Sequence, residues 1–185
     1  MNNPFYSLNI KLNMSPFLSL LDSFDFSEKR FRMTYSEIPS NLELEIRQLF
    51  NLPNKSYMAF HKLDPNNTTS YLTKWHIDTH RHTSIIIVAS KENKDHYTEF
   101  LTDDIIKVPY VKGVPMILNV KIPHKVTNHS SIFPRLALSI GLIDMPFKEV
   151  ISTVLNDKFI NYNKFPSSIF NPIILNDQTQ SLDDL

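Results

Sequence analysis

The sequence predicts a mainly β domain with flanking helices, built as a sandwich or barrel of antiparallel strands. Two observations predict it. Between residues 56 and 142, short apolar segments recur with turn chemistry between them, as at Asp64-Pro65-Asn66-Asn67 and the polar stretch 91–95. Helical spacing of apolar residues is found only before and after that run.

The elements follow in order. Tyr6, Leu8, Ile10 and Leu12 alternate with polar residues, which is the period of a half-buried strand. Ser15-Pro16 opens a short helix expected to reach Phe24, with proline at the first helical position. Ser40 and Glu43 form a capping box, and Leu42, Ile46 and Leu49 follow at helical spacing until Asn51 and Pro53 stop the helix. Strands are expected over 57–63, 69–77, 82–90, 97–101, 105–110, 114–120, 124–128 and 135–142. Gly113, in Tyr-Val-Lys-Gly-Val-Pro, marks a tight turn. A helix is expected over 144–157, with Val150, Ile151, Val154 and Leu155 on one face. The tail is expected to be irregular and docked through Phe165, Phe170, Ile173 and Ile174. The expected organisation is one domain over 1–185: helical support in 1–55, a strand core in 56–142, and a helix and tail in 143–185.

Composition narrows the function classes. Lysine plus arginine balances aspartate plus glutamate at 19 each, which leaves no electrostatic case for a nucleic-acid or acidic-membrane partner. There is no cysteine, so disulfides, thiolate nucleophiles and cysteine-ligated metals are excluded. No segment approaches the roughly 20 apolar residues of a membrane span, and Phe17-Leu-Ser-Leu-Leu21 is too short for a signal core. The expectation is a cytoplasmic protein, monomeric or homodimeric.

Chemistry concentrates in Lys-Trp-His-Ile-Asp-Thr-His-Arg, residues 74–81. Residues two apart on a strand share a face, so His76 and Asp78 point to one side. His124, 48 residues later, supplies a third ligand from another strand. Two histidines and one carboxylate leave metal positions open, the facial triad of non-haem Fe(II) oxygenases. Arg135 begins Arg-Leu-Ala-Leu-Ser-Ile-Gly-Leu, where Arg135, Ala137, Ser139 and Gly141 share one face. An arginine among small residues suits a bidentate grip on a carboxylate, and the Ser139 hydroxyl is placed to add to it. The competing reading makes His76 and His124 ordinary strand residues, Asp78 a turn acid and Arg135 a surface cation. His61 and His96 are read as structural or surface histidines. His80, His82 and His129 are read as solvated or supporting the ligands. Trp75 is read as core and Lys74 as an exposed strand lysine.

These segments, His76-X-Asp78-X-X-Arg81, His124 and Arg135, resemble the Fe(II)/2-oxoglutarate-dependent dioxygenase superfamily. The likeness is to small members near the aspartyl/asparaginyl β-hydroxylase and prolyl hydroxylase branches and covers roughly 56–142. It implies a double-stranded β-helix, a jelly roll of two antiparallel sheets. It also implies Fe(II) on His76, Asp78 and His124, 2-oxoglutarate on Arg135, and O2 as oxidant. Family members add a hydroxyl from another strand, for which Ser70, Tyr71 and Ser139 stand as options. Arg81 takes a pocket role, toward 2-oxoglutarate or a substrate carboxylate, or else is a surface cation paired with an acid. Related halogenases carry a small residue at the position of Asp78, so hydroxylation or a related oxidation is the expected reaction. The expected substrate is an amino-acid-like small molecule or a peptide side chain. Two alternatives stand beside this: a cupin-like metal enzyme that does not use 2-oxoglutarate, and a non-catalytic jelly-roll binding module.

Overall fold

A computed structural model describes residues 3–21, 29–30, 33–36, 38–65, 73–90, 96–128 and 134–176. Twelve short strands form two facing antiparallel sheets and one small pairing among the described residues. The strands are β1 (Phe5–Ser7), β2 (Ile10–Lys11), β3 (Lys29–Arg30), β4 (Met33–Ser36), β5 (Ser56–Leu63) and β6 (Thr83–Val88), followed by β7 (His96–Leu101), β8 (Ile105–Lys107), β9 (Pro115–Asn119), β10 (His124–Asn128), β11 (Arg135–Leu142) and β12 (Ile173–Ile174). The major sheet runs β1-β9-β6-β11-β5-β4-β3 and the minor sheet β10-β7-β8. This is the jelly-roll layout expected from the sequence, with the chain passing between the two sheets from β6 to β7 and then alternating through β9, β10 and β11.

The central strand, β11, pairs with β5 on one side and β6 on the other, and it is buried along its whole length. Its two faces do different work. Leu136, Leu138, Ile140 and Leu142 point into a core shared with Phe60, Ile85, Ile87 and the helices. Ala137 faces the opposite way, into a second core with Ile86, Val88, Phe100, Met116 and Leu118. Period two along one strand thus divides two packed layers.

Helices α1 (Ser15–Leu18), α2 (Ser40–Leu49) and α3 (Phe147–Leu155) cover the outer face of the major sheet. Buried Leu42, Ile46 and Leu49 are the α2 residues expected at the core. Its start differs from expectation. Pro39 is the N-cap, Ser40 makes no capping bond, and Glu43 pairs with Arg47 at 2.8 Å instead. α1 is shorter than expected, and residues 22–24 lie outside those described. The expected strand from Tyr6 to Leu12 breaks into β1 and β2, which join different sheets. α3 starts after Pro146, and Leu155 is exposed.

The segment before the core is not only helical, since β1, β3 and β4 extend the major sheet. Phe170 from the tail stacks on Phe17 at 5.4 Å, whereas Ile173 and Ile174 stay exposed and dock through backbone pairing with β2. Gly113 lies at φ +77°, where a Cβ would meet the Leu12 carbonyl oxygen at 2.2 Å. The tight turn therefore needs glycine both for its backbone and for its close contact.

Leu138 is fully buried at the centre of the larger core. Leu138→Ala is expected to lower unfolding free energy by about 2–5 kcal/mol, read as a fall in urea midpoint with an unchanged m value.

Candidate active site

Of the expected strand over 69–77, only residues 73–77 are described, and they do not form a regular strand. Residues 66–72 lie outside those described, Thr73 is in a 3-10 turn, and His76 makes a single bridge to His124. Its N–H donates to the His124 carbonyl at 3.0 Å, and the His124 N–H donates back at 2.9 Å. Residues exchanging both bonds stand directly opposite and share a face. Asp78 is held in turn by its N–H to the Val120 carbonyl at 3.1 Å. Lys121 Nζ fixes the carbonyls of Asp78 and Thr79 at 2.9 and 3.3 Å.

The bridge brings the three side chains together. Donor atoms of His76, Asp78 and His124 all lie within 4.8 Å of one another, so the group could hold one metal ion. His76 Nε2 is 3.8 Å from Asp78 Oδ1. The tautomers are settled by acceptors that cannot donate. His76 Nδ1 donates to the Lys74 carbonyl at 2.7 Å, and His124 Nδ1 donates to the Ile122 carbonyl at 3.0 Å. Both rings therefore present an Nε2 lone pair, the arrangement that outer hydrogen bonds impose on metal-binding histidines. Burial pulls the His124 pKa down to about 4, which keeps this donor neutral near pH 7.

A cavity opens between the two sheets beside His124, lined by His61, Arg81, Ser84, Ile86, Thr98, Leu118, Val120, Val126, Arg135, Ala137 and Ser139. Arg135 is buried inside the sandwich, not on the surface. Its guanidinium lies over the Tyr110 ring, 5.1 Å from the centroid. Tyr110 in turn pairs its hydroxyl with Thr98 Oγ1 at 2.8 Å. Arg135 Nε and Nη2 have no hydrogen-bond partner among the described residues. Those two nitrogens form the edge that forks a carboxylate. Burial pulls the Arg135 pKa down, but an arginine so placed remains a cation in need of an anion.

Arg81 also faces the cavity. Its Nε pairs with Asp78 Oδ2, and its Nη1 donates to Ser139 Oγ at 3.1 Å. The Ser139 hydroxyl is thus engaged with Arg81 and lies 3.5 Å from Ser84 Oγ. Tyr71 and Ser70 lie outside the described residues, as does His129. The hydroxyls beside Arg135 are those of Tyr110 and Thr98, which sequence reasoning missed. Thr98 shares a face with the apolar Phe100 in β7, and that alternation was the available signal.

His61 is the other missed residue. It pairs across the sheet with Ala137, so it shares the face of Arg135 and Ser139 and lines the cavity. Its ring nitrogens are buried although the residue as a whole is half-buried. Burial, with Arg81 and Arg135 nearby, pushes its pKa down to about 3. Trp75 is not core: it is exposed, and Lys125 Nζ sits 4.6 Å from its ring centroid. His80 and His82 are exposed as expected, while His96 is buried.

No family model and no curated protein matches this sequence. Among solved structures, the chain is similar to the non-heme alpha ketoglutarate-dependent epimerase SnoN from nogalamycin biosynthesis, at 12% identity and TM-score 0.49, over 75% of this chain and 77% of that one. The viral collagen prolyl hydroxylase vCPH from Paramecium Bursaria Chlorella virus-1, in a 2OG complex, matches at 10% identity and TM-score 0.48, over 76% and 97%. NgTET1 in complex with 5mC DNA matches at 18% identity and TM-score 0.47, over 70% of this chain and 66% of that one. Among the described residues, no helix is long and apolar enough to cross a membrane.

The neutral histidines have a consequence for stability. In the unfolded chain both imidazoles titrate near roughly 6.5. The unfolded state then binds more protons than the fold between that pH and about 3 for His61 or about 4 for His124. Stability contributed by their neutral burial is complete above about pH 6.5 and is lost as pH falls through this window. Metal-free protein is expected to lose urea midpoint steadily from pH 7 to pH 4.5. His61→Phe should flatten that slope, and equal slopes would show that His61 does not contribute.

Proposed function

We propose that this chain is an Fe(II)- and 2-oxoglutarate-dependent oxygenase, with iron on His76, Asp78 and His124 and the cosubstrate carboxylate on Arg135. One observation carries the reading. His124, one member of a His-Asp-His donor group, lines the same inter-sheet cavity as a buried guanidinium whose Nε/Nη2 edge lacks a partner among the described residues. The donor set fits the group: two imidazoles and one carboxylate suit Fe(II) and leave sites for a chelating cosubstrate and O2. A buried cation without an anion is unfavourable by several kcal/mol, roughly, and a carboxylate ligand relieves it.

When bound, iron with 2-oxoglutarate supplies the oxidation, turning O2 and 2-oxoglutarate into succinate and CO2 while one oxygen atom enters a substrate C–H bond. The chain supplies position and environment. The carbonyls of residues 74 and 122 fix which histidine nitrogen faces the centre. Arg135, backed by Tyr110 and Thr98, orients the far carboxylate. Ile86, Leu118, Val120 and Val126 keep the cavity wall apolar, which limits water and strengthens charge recognition. The acid at position 78 leaves no room for a halide ligand, so the reaction type is hydroxylation or a related oxidation. The substrate class is an amino-acid-like small molecule or an exposed peptide side chain, on the resemblance of the His-X-Asp-X-X-Arg segment.

Anaerobic loading is expected to give one Fe(II) per chain, and exposure to O2 to give iron-dependent succinate from 2-oxoglutarate. His76→Ala and Asp78→Ala should abolish turnover. Arg135→Ala should retain iron and bind 2-oxoglutarate about 2–5 kcal/mol more weakly, since both partners of a buried pair are affected. Iron uptake with unchanged 2-oxoglutarate affinity in Arg135→Ala would assign Arg135 another role, and failure to take up iron would overturn the reading.

A further inference from the structure

Arg81 faces the cavity and is ion-paired with Asp78, one of the three candidate ligands. Its charge is not available to a substrate. Nε is paired with Asp78 Oδ2, and Nη1 is bonded to Ser139 Oγ at 3.1 Å. The side chains of Arg81 and Asp78 are only 14% and 15% exposed, so this is a largely desolvated pair whose geometry is constrained, not a loose surface contact. Asp78 Oδ1 is turned the other way, 3.8 Å from His76 Nε2 and toward the donor group.

The arginine is itself supported. Its guanidinium carbon lies 5.9 Å from the centroid of the Tyr57 ring. Tyr57 lies across from Gly141 in the β5–β11 register, and a Cβ at Gly141 would come within 2.4 Å of the ring. The glycine in the central strand therefore leaves room for the aromatic ring against which Arg81 rests. A line of contacts runs from Gly141 through Tyr57 and Arg81 to one oxygen of Asp78.

We propose that Arg81 is a positioning residue for the metal centre: by occupying Asp78 Oδ2 it presents Oδ1 alone to the ion. One-oxygen binding matters because a carboxylate that turned to bind through both oxygens would occupy one of the positions left for cosubstrate and O2. Outer partners that orient ligands in this way are worth about 10–100-fold in metal affinity. This inference rests on the oxygenase reading.

The test uses Co(II), which reports affinity and ligand geometry through its visible spectrum without turnover. Anaerobic titration of wild type, Arg81→Met and Arg81→Lys is compared, with urea midpoints of the metal-free proteins confirming that each is folded. Arg81→Met is expected to bind Co(II) about 10–100-fold more weakly, with an altered visible band, and Arg81→Lys to restore most of both. Wild-type affinity and an unchanged band in Arg81→Met would overturn the positioning role while leaving the metal centre standing. The positioning role is equally overturned if Arg81→Lys binds Co(II) no better than Arg81→Met. Absence of Co(II) uptake by wild-type protein would overturn both this inference and the oxygenase reading.

Discussion

Two backbone hydrogen bonds between His76 and His124 are the contact on which the site depends. They join an irregular segment to the open edge of the minor sheet. An unpaired edge presents donors and acceptors that must find partners, and among the described residues one residue pair does so here. The pairing sets the two imidazoles side by side, with ring centroids 4.3 Å apart. Asp78 then arrives two residues later, steadied by Val120 and Lys121. A longer ladder would give more stability but is not needed to fix one residue opposite another.

The sandwich tolerates unusual polarity in its interior because its two cores are separated. The outer face of the major sheet is apolar and covered by helices. The inner face carries Arg135, His61, Ser84 and Ser139 among Ile86, Leu118 and Ala137. Hydrophobic burial on one side lets the other side hold groups that cost stability. The two low histidine pKa values and the unpartnered edge of Arg135 are signs of that cost. A ligand carrying a carboxylate stabilises such a cavity by binding it, which ties occupancy to folding.

The two cavity arginines show how environment divides one residue type into two roles. Arg135 rises from the central strand, stacks on Tyr110 and keeps one edge open. Arg81 comes from the turn after His76 and Asp78 and is bound to an acid and a hydroxyl. Both side chains carry the same charge. Only their neighbours separate a guanidinium with an open edge from one committed within the protein.

What the sequence alone determined is what local periodicity can encode. The alternation in 135–142 placed Arg135, Ala137, Ser139 and Gly141 on one face, and the sheet keeps them there. The helix at Ser40–Leu49 and the strands at Ser56–Leu63 and His124–Asn128 were legible for the same reason. The tertiary structure decided everything that needs a distant partner. His76 does not lie on a regular strand, so its approach to His124 depends on a bridge that spacing cannot reveal. Tyr110 and Thr98 reach Arg135 only because the minor sheet folds over the major one. His61 joins the cavity through its pairing with Ala137, and Trp75 turns outward because no core packs over it. The physical reason is common to all of these. A strand's period says which residues share a face, but the energy of closing long loops and of pairing exposed backbone edges decides which faces meet.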